Sequence, residues 1–415
     1  MANKKKIIND PVYGFISVQT PLIFDLIEHP YFQRLRRIKQ LGLSEYVYPG
    51  ALHTRFHHAL GAMHLMGQAT ATLSNKGHHL SEAECEAAQI AILLHDIGHG
   101  PFSHVLECSL LEDVPHEAIS LLLMQALNRQ FNGALSLAIQ MFEGTYQRPF
   151  FHQHISSQLD MDRMDYLNRD CFYTGVAEGA IGAERIIKML DLDQDQLVVE
   201  SKGILSVENF LNARRLMYWQ VYLHKTSICC ESMLVQILRR ARVLARQGTP
   251  LYALPDFMLF LRESLPKTAF TANTAYLQAF TRIDDYDVWG CVKAWATHPD
   301  RVLSLLCQML LHRRLFKIML STEPFKPALV ADLAQQLREK GFSDDELTYF
   351  LVEGQATNAA YLPAGDSIRI KFKDGQVRDI TDASELTNIG ALSTLVRRHY
   401  ICWARDLEGP KAHKH

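Results

Sequence analysis

The sequence predicts a mainly α protein: a helical bundle core followed by a smaller C-terminal α+β lobe that contains a β-hairpin. Three observations carry this. Apolar residues recur at helical spacing through most of the first 320 residues. Strand signals are short, and the strongest lies late, where Ile368 to Phe372 and Val377 to Ile380 flank Lys373-Asp374-Gly375. The densest polar groups sit at three places far apart in the chain, and only helices packed side by side bring such places together. At 415 residues the chain is long enough to bury a large core, read here as 1–325, with the lobe at 326–415.

Bulk composition narrows the function classes. A hydrophobic fraction of 48% and a charged fraction of 21% are ordinary for a globular protein. The formal net charge of -2 gives no basic excess, which argues against a dedicated nucleic-acid site. The eight cysteines are scattered apart from Cys229-Cys230, with no C-x-x-C pair. That usage fits a reducing compartment and speaks against structural zinc. No apolar run is long enough to span a bilayer, so the expectation is a cytoplasmic enzyme without a membrane partner.

In chain order, residues 7 to 24 read as a short extended segment and a turn at Asn9-Asp10-Pro11. A helix follows from about Pro21 to Ile38. Its basic end, Arg34, Arg36, Arg37 and Lys39, reads either as macrodipole capping or as a phosphate-binding cluster. The next helix starts near Arg55 and carries His57 and His58. Neighbouring helical residues point about 100° apart, so one of the two faces inward. Ala62 and Leu65 share the side of His58, which suits a buried ligand. Ser81 caps a helix with Glu82 and Glu84 in its first turn. That helix runs into Ile90 to His104, IAILLHDIGHGPFSH, the stretch around which the chain is organised. His99 follows His95 by four residues, so a helix puts both on one face, and Pro101 stops it.

Another helix opens at Pro115-His116-Glu117, and residues 134 to 160 read as helical. Asp162, Asp165, Tyr166 and Arg169 then share one helical face. Asp165 and Arg169 form an i,i+4 ion pair, which leaves Asp162 as the ligand candidate. Residues 197 to 206 read as a hairpin around Ser201-Lys202-Gly203, followed by one long helix from Val207 to Arg246. Further helices reach about residue 320, two shorter ones fall within 326–352, and a strand closes the chain at Leu395 to Trp403. The polar end from Gly409 reads as frayed.

Three histidines and an aspartate within ten residues, at the end of an apolar helix, are costly to bury unless paired or bound to a cation. A single divalent ion takes about four to six ligands. The best set is His58, His95, Asp96 and Asp162, whose nitrogen and oxygen donors accept Mn, Fe, Co, Ni, Zn or Mg. Such an ion polarises a phosphoryl oxygen or acidifies a water. His99, His104 and His116 then supply acid, base or phosphate-binding groups, and Glu107 orients one of them. Arg55, Arg163 and Arg214 suit bidentate phosphate contacts.

Several short motifs occur in order over about residues 6 to 230. They are Ile8-Asn9-Asp10-Pro11, PYFQRLRRIKQLG from Pro30, Tyr48-Pro49-Gly50-Ala51, Arg55-Phe56-x-His58, HDIGHGPFSH from His95, Asp162-Arg163-Met164-Asp165-Tyr166 with Arg169-Asp170-Cys171, and Tyr222-x-His224-Lys225. Together they resemble the dNTP triphosphohydrolases of the HD superfamily, among them the animal SAM-and-HD-domain enzyme and its bacterial relatives. The resemblance implies an HD-domain bundle that splits deoxynucleoside triphosphates into deoxynucleoside and inorganic triphosphate, with one divalent metal and magnesium accompanying the nucleotide. It implies metal ligation by His58, His95, Asp96 and Asp162, and catalytic roles for His99 and His116, with Glu107 supporting one of them. It further implies phosphate contacts from Arg55, His104, Arg163 and Arg214. Gln40 with Leu41 and Asp170 would meet the sugar, and Tyr166 and Tyr222 would exclude a 2′-hydroxyl. Lys6, Asn9, Glu28, Gln33 and Arg36 match an effector-nucleotide site between subunits, which implies a homo-oligomer, dimer or tetramer. The chain departs from the family pattern at Glu107 (Asp), Arg163 (Lys), Leu223 (a base-contacting Gln) and His57 (Glu). The alternatives are an HD phosphohydrolase for another nucleotide (a nucleotidase, a guanosine-tetraphosphate or cyclic-nucleotide hydrolase, or a nuclease) and a non-enzymatic nucleotide-sensing module.

Overall fold

The computed structural model describes residues 6–102, 104–111, 114–358, 361, 367–386 and 395–405. It is mainly helical, and buried apolar side chains from Ile16 to Ala404 form one contiguous cluster. No helix among the described residues is long and apolar enough to cross a membrane.

The chain opens on an antiparallel hairpin, β1 (Lys6–Asp10) and β2 (Gly14–Val18). Asp10 closes its turn, because Oδ1 accepts from the amides of Val12 at 2.9 Å and Tyr13 at 3.0 Å. The helix expected over 21–38 is instead three pieces: Pro21–Glu28, Pro30–Gln33 and a 3₁₀ turn Arg34–Arg37. Pro30 forces His29 out of the helical region, to φ -66° and ψ 138°. His29 then caps the next piece through Nδ1.

Three helices make the centre: Arg55–Asn75, Glu82–Leu94 and Met161–Thr174. The first packs against both of the others. Gly61 permits its approach to the third, since a Cβ there would stand 1.9 Å from Asp165 Oδ1. Ser81 and Glu84 form a capping box at the start of the second. The helical stretch expected over 134–160 is broken into Ser136–Glu143 and Phe150–Ile155, the first ending at Gly144 with φ +70°.

The hairpin expected over 197–206 is misplaced by one element. β4 (Gln196–Glu200) pairs backwards with β3 (Leu190–Asp193), and Ser201–Gly203 is a 3₁₀ turn leading into the helix Ile204–Met217. The long helix expected over 207–246 is also interrupted. A π-helical turn, Tyr218–Tyr222, separates Ile204–Met217 from Lys225–Arg246, and His224 caps the latter.

Towards the C-terminus, β5 (Lys317–Ser321) is followed by the helices Pro327–Glu339 and Asp344–Phe350 and by β6 (Leu351–Asn358). The Asp374-Gly375 signal is a hairpin of β7 (Arg369–Lys371) and β8 (Val377–Asp379), with Gly375 at φ +84°. β9 (Val396–Trp403) ends the described chain and lies between β5 and β6, antiparallel to both. β7 runs parallel to β4, giving a sheet ordered β3-β4-β7-β8. The expected frayed end from Gly409 lies outside the described residues.

Candidate metal centre and adjoining pocket

The three central helices each present a polar group to one point. His58 comes from the first turn of Arg55–Asn75, His95 from the C-terminal cap of Glu82–Leu94, and Asp162 from the first turn of Met161–Thr174. His58 Nε2, His95 Nε2 and an Asp162 carboxylate oxygen lie within 4.8 Å of one another. Asp162 Oδ1 is 3.1 Å from His58 Nε2 and 3.4 Å from His95 Nε2. Asp96 completes the group, 3.3 Å from His95 Nε2 and 3.7 Å from His58 Nε2. Both Nε2 atoms are buried and make no hydrogen bond among the described residues. Buried donors without partners, facing two carboxylates, suit a divalent cation. Asp162 is a quarter exposed, so solvent reaches this side of the centre.

The far sides of both rings are fixed. His58 Nδ1 lies 2.7 Å from Asp165 Oδ2, and His95 Nδ1 lies 2.6 Å from the carbonyl of Ile92. A carbonyl can only accept, so Nδ1 of His95 carries the proton and Nε2 presents its lone pair. Burial opposes a charged His58, but Asp162 and Asp165 outweigh it and hold the imidazole up to about 10. Burial likewise opposes ionisation of Asp162, yet the adjoining imidazoles of His58 and His95 keep its carboxyl far below the usual range.

His95 and His99 do not share a helical face. The helix ends at Leu94, and the amide of His99 turns back to the carbonyl of Asp96 at 3.1 Å. His99 therefore joins a second cluster with Asp96 and His116. Its Nε2 lies 3.3 Å from Asp96 Oδ1, and its ring stacks on His116 at 3.7 Å between centroids. Arg55 ion-pairs with the other oxygen of Asp96. Burial and the Arg55 charge push His99 well below the ordinary imidazole range, so it is neutral at pH 7. His116 opens the helix His116–Gln130. Gly98 allows that helix to come close, because a Cβ there would meet the His116 carbonyl at 2.3 Å. The side chains of His104 and Glu107, on the short helix His104–Ser109, lie outside the described residues.

A wall of aromatic and acidic groups adjoins the centre. Tyr166 is 6.5 Å from His58 and 5.9 Å from Tyr222 between ring centroids. The Tyr222 hydroxyl donates to Asp170 Oδ2 at 2.8 Å, and His53 Nε2 holds Asp170 Oδ1 at 2.7 Å. The Gln40 backbone amide donates to the His53 carbonyl, while its side-chain Oε1 is buried without a partner among the described residues. Leu41 packs partly buried against the core. Arg214 is buried and donates to Gln158 at 3.0 Å, and Arg163 ion-pairs with Asp160.

The expected effector residues lie elsewhere. Lys6, Asn9, Glu28 and Arg36 line a cleft between the N-terminal hairpin and the helix Arg55–Asn75. Arg36 donates to Gln33 Oε1 at 2.8 Å and lies over the Phe56 ring. The basic run is therefore divided, and neither reading covers it. Arg36 faces the cleft, Arg37 pairs with Asp284, and Lys39 pairs with Glu45. Arg34 is fully buried and donates to the carbonyls of Ile97 at 2.8 Å and His99 at 2.9 Å. It thus grips the turn that carries Asp96. Asp285 grips the next segment, accepting from the amides of Phe102 and Lys39. Sequence reasoning assigned no role to His53 or Asp285, and it read Arg34 only as part of the basic helix end, not as the buried grip on this turn. For His53 a signal existed, its place two residues before Arg55, whereas Asp285 lies far away in the chain.

Comparison with known proteins agrees with this geometry. The family model described as HD domain matches residues 55–150, and that described as HD associated region matches 181–257. A phosphohydrolase from Bacteroides thetaiotaomicron has a similar crystal structure, with a TM-score of 0.94 and 52% identity over 97% of this chain and 100% of that one. The Bacillus subtilis protein YwfO is 30% identical over 92% of this chain and 89% of its own length. The deoxynucleoside triphosphate triphosphohydrolase SAMHD1 of Homo sapiens is 30% identical over 57% of this chain, which spans 44% of the human protein.

Proposed function

The chain belongs to the HD-domain family of metal-dependent phosphohydrolases, and from that premise we propose that it converts deoxynucleoside triphosphates to deoxynucleoside and inorganic triphosphate. The observation that carries the substrate class is Asp170, a buried carboxylate clamped by His53 and Tyr222 beside Tyr166. Fixed in this way, Asp170 accepts a hydrogen bond from a sugar 3′-hydroxyl. The paired tyrosine rings pack against the deoxyribose and meet an added 2′-hydroxyl unfavourably.

His58, His95, Asp96 and Asp162 hold one divalent cation. When bound, it supplies positive charge at the phosphoryl oxygens and an acidified water. Arg55, Arg163, Arg214 and His104 neutralise the phosphate chain. His99, neutral at pH 7, accepts a proton from the attacking water, and His116 delivers one to the leaving 5′-oxygen. Glu107 orients one of these histidines. The cleft of Lys6, Asn9, Glu28 and Arg36 takes an activating nucleotide, its phosphates on the two cations. A homo-oligomer fits the exposure of Ile7 (60%) and Phe15 (70%) on the adjoining hairpin. The described cysteines are all free thiols, in keeping with a reducing compartment.

The test is a substrate panel with metal-analysed protein: dNTPs, NTPs, monophosphates and cyclic dinucleotides, with and without GTP or dATP as activator. Inorganic triphosphate released from dNTPs, with ribonucleotides turned over far more slowly, is the expected result. Turnover of another class, or pyrophosphate as product, overturns the proposal.

A further inference from the structure

A line of buried charge runs from the N-terminal hairpin to His58. Asp10, at the end of β1, accepts from Arg169 Nη1 at 2.7 Å through Oδ2. The same guanidinium grips Asp165 with two prongs, Nε to Oδ2 and Nη2 to Oδ1, both at 3.0 Å. Asp165 Oδ2 in turn meets His58 Nδ1 at 2.7 Å. Arg169, Asp165 and His58 are completely buried, and Asp10 is 7% exposed. Gly61 leaves room for the Asp165–Arg169 pair against the helix that carries His58.

We propose that Asp10 and Arg169 are positioning residues for His58, acting through Asp165 on how strongly its Nε2 binds a divalent metal. This rests on His58 being a ligand, as read above. One guanidinium serves two carboxylates, so Asp10 draws part of its field away from Asp165. Asp165 thereby keeps the negative charge that polarises the Nδ1–H bond of His58 and enriches Nε2. With Asp10 neutralised, Arg169 settles wholly on Asp165, and the pull on the imidazole proton weakens. Asp10 Oδ1 holds the turn amides of Val12 and Tyr13 and also takes a longer contact from Arg169 Nη2 at 3.4 Å; an asparagine keeps that acceptor oxygen while losing the charge that draws Arg169 through Oδ2.

The experiment titrates the full-length metal-free protein with Mn(II) against a competing chelator dye, alongside thermal unfolding of the same samples. Loss of an outer-shell partner of a ligating histidine typically weakens metal binding by about 10- to 100-fold. Asp165→Asn should fall in that range. Asp10→Asn, one step further out, should weaken binding by roughly 3- to 10-fold. A hairpin anchor with no further role predicts otherwise: lower unfolding temperature and unchanged Mn(II) affinity of the folded protein. Affinity equal to or tighter than the parent's in Asp10→Asn overturns the proposal. Should that variant not fold, Asp10→Ser takes its place under the same criterion, since it removes the charge that draws Arg169 while its hydroxyl can still accept from the turn amides. His58→Ala is the control. If it binds Mn(II) like the parent, the ligand set itself is wrong. If it loses binding while Asp10→Asn does not, only the relay is wrong.

Discussion

His58 and His99 are both buried imidazoles beside the same aspartate, Asp96, and their environments push them in opposite directions. His58 stands between Asp162 and Asp165, whose carboxylates overcome the cost of burying a cation. His99 faces Asp96, and Asp96 is already engaged by Arg55. Burial and the nearby guanidinium then keep His99 uncharged. The lesson is that the balance of carboxylates and guanidinium around an imidazole decides its charge, rather than burial or the His-Asp contact alone. One pocket thus holds a cluster that attracts positive charge and another that presents a neutral ring.

Removing a member of the first cluster is the hardest test of this contrast. His95→Ala should abolish stoichiometric divalent metal, measured by elemental analysis, and lower hydrolysis by roughly a thousandfold or more, since metal stabilisation is worth several kcal/mol. Retained metal and activity would mean that the two clusters are misassigned. His99→Gln should cost about 10²- to 10⁴-fold in kcat while metal content stays at the parent level. Parallel loss of metal in that variant would merge the clusters into one.

His154 extends the comparison to an imidazole with no carboxylate contact among the described residues. It is fully buried, neither ring nitrogen has a hydrogen-bond partner among those residues, and burial lowers it to about 4. The folded value lies below the unfolded one near 6.5. The unfolded chain therefore binds the proton more readily between these values. Stability is fully present above about pH 6.5 and is lost as pH falls towards 4, by about 3 kcal/mol in all. His154→Leu should flatten the urea midpoint between pH 7 and pH 4.5. A slope as steep as the parent's would assign the acid limb to other groups.

The sequence exposed some parts of this arrangement and hid others for physical reasons. The His95-Asp96 doublet at the end of an apolar helix, and Asp162 left over once Asp165 and Arg169 pair, were visible because both rest on local periodicity. So was the Asp374-Gly375 turn, whose glycine has a positive φ. The β3–β4 turn was invisible, because Gln194 and Asp195 take positive φ of 50° and 55° without a glycine to mark them. Ser201-Lys202-Gly203 drew the hairpin reading in its place. The π-helical turn at Tyr218–Tyr222 inserts within an unbroken helical pattern, so no change of period announced it. Arg34 and the Asp10–Arg169–Asp165 line depend on partners far along the chain. Composition cannot tell a buried guanidinium that holds carbonyls from a solvent-facing helix cap.

The pairing of β7 with β4 sets Ile370 beside Val199, about 170 residues earlier in the chain. A growing polypeptide must leave the ribosome almost entirely before that sheet can close. Until then β4 is an uncovered strand edge, open to the backbone of a neighbouring chain. Synthesis of this protein therefore carries a window of aggregation risk that ends only when the last hairpin docks.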